Sequence, residues 1–465
     1  MRMNLAIDLS KKFPGCVLQT QEELLPYRSD ASHFGGDTPL AVVMPENTAQ
    51  VSELMKYCYQ NDIAVVARGG GTSLTGASVL KGRGIVVDLL RMDRIAEVSV
   101  TDKCVLAEAG VRIDDLNERL ARAGHLFPPD PGSSIAATVG GIISTNAGGL
   151  RCLRYGTTKD WILGVEAVLA DGRVIQCGNR TLKSRIGYDL TSLIVGSEGT
   201  LAIVTKAYLK ITNLPESTGR VVAYYADISS LGRAVADVRT GKIQPTIAEF
   251  LDRKTMDAVE RSGKVTFPDE AAYMLLLDVD GPAEAIDRYL NELTSTLGNS
   301  KPLKVQSTRD ESEMRKLYLA RKGAYSSLLK VRRSENDHVL IGDVVVPPSE
   351  LSMMLSETSV LADQMKVAVA LFGHIGDGNI HANMFVDFSD ADESGRVEKF
   401  HTEIARLALS HGGSVSAEHG IGVEKRELLK MEYEHRSSMA TLEVMKGLKA
   451  VMDPKGILNP GKVFL

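Results

Sequence analysis

The run Ala67-Arg68-Gly69-Gly70-Gly71-Thr72-Ser73-Leu74-Thr75-Gly76 restricts this chain more than any other stretch. Consecutive glycines weaken both helix and strand, and belong where the backbone turns tightly or comes close to something. The apolar stretch Ile63 to Val66 before them reads as a buried strand, so the glycines open a loop at its end. Successive N–H groups of such a loop can converge on one concavity, and Thr72, Ser73 and Thr75 add hydroxyl donors. The loop could cradle a pyrophosphate, although taken alone it reads equally as a tight turn. Two familiar phosphate loops do not fit. Leu74 stands where a dinucleotide fingerprint needs its third glycine, and Gly71 to Gly76 has P-loop spacing with Ala77 at the lysine position.

Around this loop the pattern is strand, helix, strand. Ala41 to Met44 is a short apolar run stopped by Pro45, and Asn47 or Thr48 can cap a helix whose Val51, Leu54, Met55 and Cys58 recur at helical spacing. Gly84 to Asp88 is the next strand. Residues 128 to 205 show little helix signal but many turn residues between short apolar runs, and Asn213-Leu214-Pro215-Glu216 is a plausible boundary. Residues 220 to 400 alternate strands (Val221 to Tyr225, Tyr273 to Val279, Leu340 to Val346) with amphipathic helices (Ser229 to Arg239, Ala283 to Leu297, Pro348 to Gln364), as an antiparallel α+β module does. A last helix is expected over Ser437 to Val451.

At 465 residues the chain is too long for one core. Its 54 basic against 59 acidic side chains leave a formal charge of -5, which provides no basic field for nucleic acid. No stretch approaches the roughly 18 apolar residues of a spanning helix. The run Leu5 to Ile7, broken by Asp8, is too weak for a secretory signal, so a cytoplasmic protein is expected. The five cysteines form no CxxC pair, so any iron–sulfur cluster that serves this chain would sit on another one.

A second small-residue run, Thr138-Val139-Gly140-Gly141-Ile142-Ile143-Ser144-Thr145-Asn146-Ala147-Gly148-Gly149, is followed by Arg154-Tyr155-Gly156 and by Gly196-Ser197-Glu198-Gly199-Thr200-Leu201. In order, spacing and wording these blocks resemble the FAD-binding domain of the vanillyl-alcohol oxidase and p-cresol methylhydroxylase superfamily. The resemblance implies that Arg68, Gly69, Gly70, Gly71, Thr72, Ser73 and Gly76 wrap the FAD pyrophosphate. It further implies that Pro131, Gly132, Thr138, Gly140, Gly141, Ser144, Asn146, Gly148, Tyr155, Gly156, Glu198, Gly199, Ile203 and Asn459 line the rest. Members that tether the flavin carry a histidine near the place of Gly71, so non-covalent FAD is expected here.

Phe372-Gly373-His374-Ile375-Gly376-Asp377-Gly378-Asn379-Ile380-His381-Ala382-Asn383 reads as two short strands around a Gly-Asp-Gly-Asn turn, able to bring two imidazoles to one ion. Ser416-Ala417-Glu418-His419-Gly420-Ile421-Gly422 adds a carboxylate and a third imidazole. Two imidazoles and a carboxylate suit a catalytic divalent ion that keeps positions open for substrate. Either segment alone would more simply hold structural histidines. Together they resemble the C-terminal half of the FAD-linked 2-hydroxy-acid dehydrogenases, the group of D-lactate dehydrogenases, glycolate oxidase flavin subunits and D-2-hydroxyglutarate dehydrogenase. With Leu458-Asn459-Pro460-Gly461-Lys462, the similarity runs from about Thr38 to Phe464.

This resemblance implies an α+β protein. Residues 1–214 would form a two-subdomain FAD-binding domain of the p-cresol methylhydroxylase type, 215–415 an antiparallel-sheet cap binding substrate and metal, and 416–465 a C-terminal segment returning to the flavin. It makes His374, His381 and Glu418 metal ligands, with zinc expected first and iron or manganese as alternatives. His419 would be the base that takes the hydroxyl proton, Arg321 and Asn383 would contact the substrate, and hydride would pass to flavin N5. Relatives with a dicarboxylate substrate carry a lysine where Ile341 stands, which favours a small monocarboxylate such as D-lactate or glycolate over 2-hydroxyglutarate. The electron acceptor would be a quinone, a cytochrome, an electron-transfer flavoprotein or an iron–sulfur subunit, and peripheral membrane association through a partner is allowed. An alkylglycerone-phosphate-synthase-like transferase would need a phosphate clamp, for which only Arg332-Arg333 is available. A non-catalytic electron-transfer subunit would have no use for the histidine set.

Overall fold

The computed structural model describes residues 2–263 and 265–464. Two compact units divide the chain: Met1–Gly148, Gly156–Leu214 and Glu418–Leu465 make one, and Gly149–Tyr155 with Pro215–Ala417 make the other.

The first unit holds two main sheets. In the first sheet, Val42–Val43 and Ala64–Arg68 flank Gly84–Asp88 in parallel, and Val17–Leu18 adds an antiparallel edge. Parallel neighbours need a crossover, which the helix Thr48–Gln60 supplies, capped by the Asn47 side chain on the Gln50 N–H. The apolar stripe of that helix (Val51, Leu54, Met55, Cys58) is wholly buried and packs with Val65, Ile85 and Val87. The segment around Leu458 extends this sheet, because Val65 donates to Ile457 O and accepts from Asn459 N, both at 2.8 Å. The second main sheet is antiparallel, in the order Ile95–Ser99, Cys104–Glu108, Ile203–Lys210, Ile162–Val168, Val174–Gly178. It packs its own core with the helices Ile113–Ala121 and Val139–Thr145.

The second unit is built on an eight-stranded antiparallel sheet. Its path runs Lys304–Thr308, Ser217–Tyr225, Tyr273–Gly281, Ile247–Asp252, Val369–Gly373, Asn379–Asp387, Asp337–Ile341, with Val344–Val345 also paired to Asn379–Asp387. Strand side chains alternate between faces. On one face Val221, Ala223, Ala248, Phe250, Leu275, Leu277, Leu371, Ile380, Ala382 and Met384 pack into a core with residues of the helices Ile228–Thr240, Ile286–Gly298, Leu351–Met365 and Ala391–Ser410. The intervening positions, Arg220, Glu249, Asp278, Phe372, His381 and Asn383, therefore face the other way. That face carries buried charge, with Arg220 donating through Nε and Nη2 to the two oxygens of Asp278, at 2.6 Å each.

Gly149–Tyr155 belongs to the second unit although its neighbours in sequence belong to the first. Arg154 and the Tyr155 hydroxyl both bond to Asp280, and Leu153 packs where a side chain on Gly376 would otherwise stand.

Candidate active site

In the first unit the glycine blocks meet through main-chain contacts. A Cβ on Gly70 would lie 2.0 Å from Ala136 O, and one on Gly69 would lie 2.2 Å from Thr138 Oγ1. Gly71 and Gly76 have φ of +65° and +72°, which only glycine adopts easily. Arg68 folds its guanidinium back onto the start of the loop. Its Nη1 donates to Ser29 O at 2.8 Å, and the guanidinium lies over the Tyr27 ring and against Gly71. Ser73 instead turns its hydroxyl to the N–H groups of Thr75 and Ala77.

The helix Val139–Thr145 starts on the Thr138 hydroxyl and ends at Asn146 in the left-handed region. Gly140 packs where any side chain would meet Ala109, Ser144 Oγ donates to Gly140 O, and Gly141 N–H reaches the Thr138 cap. Asn146 accepts from Lys159 N and Thr157 Oγ1. Two further main-chain bonds, Gly196 N–H to Ile143 O and Glu198 N–H to Ser144 O, join the Gly-Ser-Glu-Gly loop to this helix end. Gly156 and Gly199 take φ of +75° and +67°, Gly132 has open space around its Cα, Pro131 O accepts from Ser134 N, and Ile203 is a buried strand residue.

Glu198 then links that loop to the last motif. Its buried carboxylate accepts the N–H of Ile421 at 2.7 Å and of Gly422 at 2.8 Å. Burial pushes its pKa up, against the pull of those two N–H groups and of the charges on Lys425 and Lys462. Asn459 completes the junction by donating to Ala77 O and Glu198 O, while its buried Oδ1 finds no hydrogen-bond partner among the described residues. A cradle lined by glycines and a buried polar atom left unpaired fit the phosphate and ring edges of a flavin nucleotide.

Within the second unit the Gly-Asp-Gly-Asn hairpin forms as the spacing predicts, and Phe372 pairs with His381 across it. His374 follows the end of its strand, and the two imidazoles meet edge to face with centroids 5.4 Å apart, both buried. His374 Nδ1 lies 2.7 Å from Glu249 Oε1. The other Glu249 oxygen faces Arg321 Nη2, and the Arg321 guanidinium lies 4.7 Å from the Phe372 ring centroid. Asn383, fully buried, donates to Ala370 O and His381 O, and its Oδ1 makes no hydrogen bond among the described residues. Ile341 stands opposite Asn383 in strand register, so an uncharged side chain shares its face.

Asp343 organises the remaining edge. It accepts from Asn379 Nδ2, Ser416 Oγ and the Ala417 N–H, with His381 Nδ1 3.9 Å away. Ala417 is thus pinned one peptide bond before Glu418. In the first unit, Glu418 Oε1 lies 3.8 Å from His419 Nε2, and the Thr75 hydroxyl holds His419 O. Two buried imidazoles beside carboxylates are donor chemistry that suits zinc, iron or manganese.

Glu249 and Asp343 were not singled out from sequence. A lone carboxylate inside the apolar run Ile247-Ala248-Glu249-Phe250-Leu251 was the available signal. Arg333 is committed to Asp337 and Glu393, which leaves little of the phosphate clamp that a transferase would need. No helix among the described residues is long and apolar enough to cross a membrane.

The model of the C-terminal domain of FAD linked oxidases matches residues 214–463, and that of an FAD binding domain matches residues 39–178. The glycolate oxidase subunit GlcD of Bacillus subtilis (strain 168) is 36% identical over 440 residues, which is 95% of this chain and 92% of that protein. A D-lactate dehydrogenase of Archaeoglobus fulgidus is 34% identical over 445 residues, covering 94% and 96%. The crystal structure of p-cresol methylhydroxylase with substrate bound superposes with a TM-score of 0.81 at 17% identity, covering 99% of this chain and 96% of that one. At that identity the likeness concerns the fold, which is the p-cresol methylhydroxylase type expected from the glycine blocks.

Proposed function

The chain belongs to the family of FAD-linked oxidases, and from that premise we propose that it oxidises a small 2-hydroxy monocarboxylate, of the D-lactate or glycolate kind, to the 2-oxo acid. The observation that carries this reading is the buried set on the polar face of the second unit, where His374, His381, Arg321 and Asn383 lie among residues that a plain core would make apolar.

Bound non-covalently, FAD supplies the two-electron acceptor. His374, His381 and Glu418 would hold a divalent ion, which when bound would supply a Lewis acid for the substrate hydroxyl near neutral pH. Arg321 receives the C1 carboxylate, for which a guanidinium is the matched donor. Asn383, buried on the same face with its Oδ1 unpaired among the described residues, contacts the substrate, and His419 takes the hydroxyl proton. Ile341, uncharged and in register with Asn383, favours a substrate without a second carboxylate. The reading extends to a cytoplasmic enzyme that hands its electrons to a quinone or to a protein such as an electron-transfer flavoprotein or an iron–sulfur subunit.

The test is anaerobic mixing of the FAD-loaded, zinc-supplemented protein with D-lactate, glycolate and 2-hydroxyglutarate, followed at about 450 nm, the flavin's own absorption. Bleaching by a monocarboxylate supports the reading. A flavin left oxidised by every 2-hydroxy acid defeats it, and bleaching by 2-hydroxyglutarate alone reverses the substrate assignment.

A further inference from the structure

We infer that Glu249 is a positioning residue for both halves of the substrate site, setting the tautomer of His374 and anchoring Arg321 through one buried carboxylate. The inference rests on the function proposed above and extends it to a residue outside the metal and substrate contacts.

The cost of placing a carboxylate there is the first argument. Glu249 is fully buried, and its strand alternates with Ala248 and Phe250 in the apolar core on the opposite face. Its registered neighbour across the sheet is Leu276. A carboxylate taken out of water costs several kcal/mol unless specific partners answer it, and a leucine or methionine would fill the position without that penalty. Retaining a charge at this site calls for work that an apolar side chain cannot do.

The partners identify the work. A carboxylate has no hydrogen to give, so the 2.7 Å contact places a hydrogen on His374 Nδ1. In the neutral imidazole the lone pair is then on Nε2, the nitrogen that would bind an ion. A metal-binding histidine held in this way keeps both its tautomer and its ring orientation.

On the other side, Arg321 Nη2 lies against Glu249 Oε2 as an ion pair without hydrogen-bond alignment, and its buried Nε has no hydrogen-bond partner among the described residues. Phe372 holds the guanidinium from its face, and the same ring lies 5.3 Å from His381. Arg321 is thus held in place while N–H directions stay open for a substrate carboxylate. One side chain thus positions both the imidazole that would hold the ion and the guanidinium that would meet the carboxylate.

The experiment uses FAD-loaded full-length protein and zinc alone as the metal probe. Glu249→Gln keeps the volume but presents an amide NH2 to one of the two donors. Zinc affinity in a chelator competition should fall about 10- to 100-fold. With zinc saturating, KM for the hydroxy acid should rise about tenfold while kcat changes less, the mark of weakened ground-state binding. His381→Ala is the parallel control. If it loses zinc while Glu249→Gln binds zinc and substrate as the wild type does, the inference fails and the proposed function stands. If His381→Ala also binds zinc normally, the metal site itself falls and takes the inference with it.

A second measurement reads the wild-type protein itself. In the metal-free, histidine-15N-labelled protein, the His374 resonances, identified by their loss in His374→Ala, should report hydrogen on Nδ1 and none on Nε2. Hydrogen on Nε2 with a bare Nδ1 overturns the assignment.

Discussion

The carboxylate of Glu198 receives the main-chain N–H of Gly422 at 2.8 Å, joining residues 224 positions apart in a place from which water is largely excluded. The fit is close. A Cβ on Gly422 would meet Thr75 O at 2.2 Å, and one on Gly420 would meet Glu198 Oε1 at 2.8 Å. Glu198→Gln leaves one oxygen for two N–H donors and turns an NH2 towards the other, an unpaired contact that costs about 1–3 kcal/mol. The variant should melt earlier and purify with less FAD per chain. Wild-type melting and wild-type flavin content together would show that this junction is dispensable.

Glycines in the cradle should divide into two kinds. Gly70→Ala drives a methyl group into Ala136 O and should abolish ordered folding of the first unit, seen as loss of its cooperative melting transition. Gly132→Ala meets nothing within 4 Å and should leave stability within about 0.5 kcal/mol of the wild type. Its FAD content is then a clean readout of whether the flavin occupies that space, and unchanged content removes Gly132 from the lining.

His411 gives the fold a pH signature. It caps the helix Ala391–Ser410, and its ring nitrogens lie 3.0 Å from Glu350 and 3.1 Å from Glu357, which raise its pKa above the usual histidine value. Because the folded value is the higher one, the stabilisation is complete at pH below the unfolded value near 6.5 and disappears as pH rises through the folded value. Both glutamates are partly exposed, so the size should be about 1 kcal/mol or less. Denaturant midpoints measured from pH 5 to 9 should differ between His411→Gln and wild type at the acid end and converge at the alkaline end. A constant difference across that range would contradict the argument.

The base and the ligands should separate in titrations. His419→Ala should retain FAD and zinc yet fail to reduce its flavin with substrate, whereas His381→Ala should lose zinc. Unchanged reduction in the first variant removes His419 as base, and full zinc occupancy in the second removes His381 as a ligand.

Much of this architecture can be read from periodicity. Val51, Leu54, Met55 and Cys58 announce a one-sided helix, and it is capped by Asn47 as expected. The alternation around His381 likewise announces the hairpin. Other parts escape such reading. Val139–Thr145 contains two glycines and β-branched residues, so its helix depends on the Thr138 and Asn146 caps and on buried Ile142 and Ile143, a tertiary cause that local propensity does not contain. Leu340 to Val346 reads as one strand but breaks at Gly342 and Asp343, because Asp343 turns inward to hold Asn379, Ser416 and Ala417. A single acid in an apolar run carries no motif, so Glu249 is not legible in the sequence; its contact with His374, 125 positions away, gives it meaning.

The pairing of Val65 with Ile457 and Asn459, and of Asn459 with Ala77 382 positions earlier, has a consequence for biosynthesis. The nascent N-terminal sheet emerges without its last strand-like neighbour and must wait, partly open, while the long 215–417 stretch is translated. That stretch carries nearly all of its own core and can consolidate first, since folding units commonly form in the order their residues become available. The half of the protein that begins the chain is therefore among the last to close, and early ribosomal release or C-terminal clipping would strike its beginning.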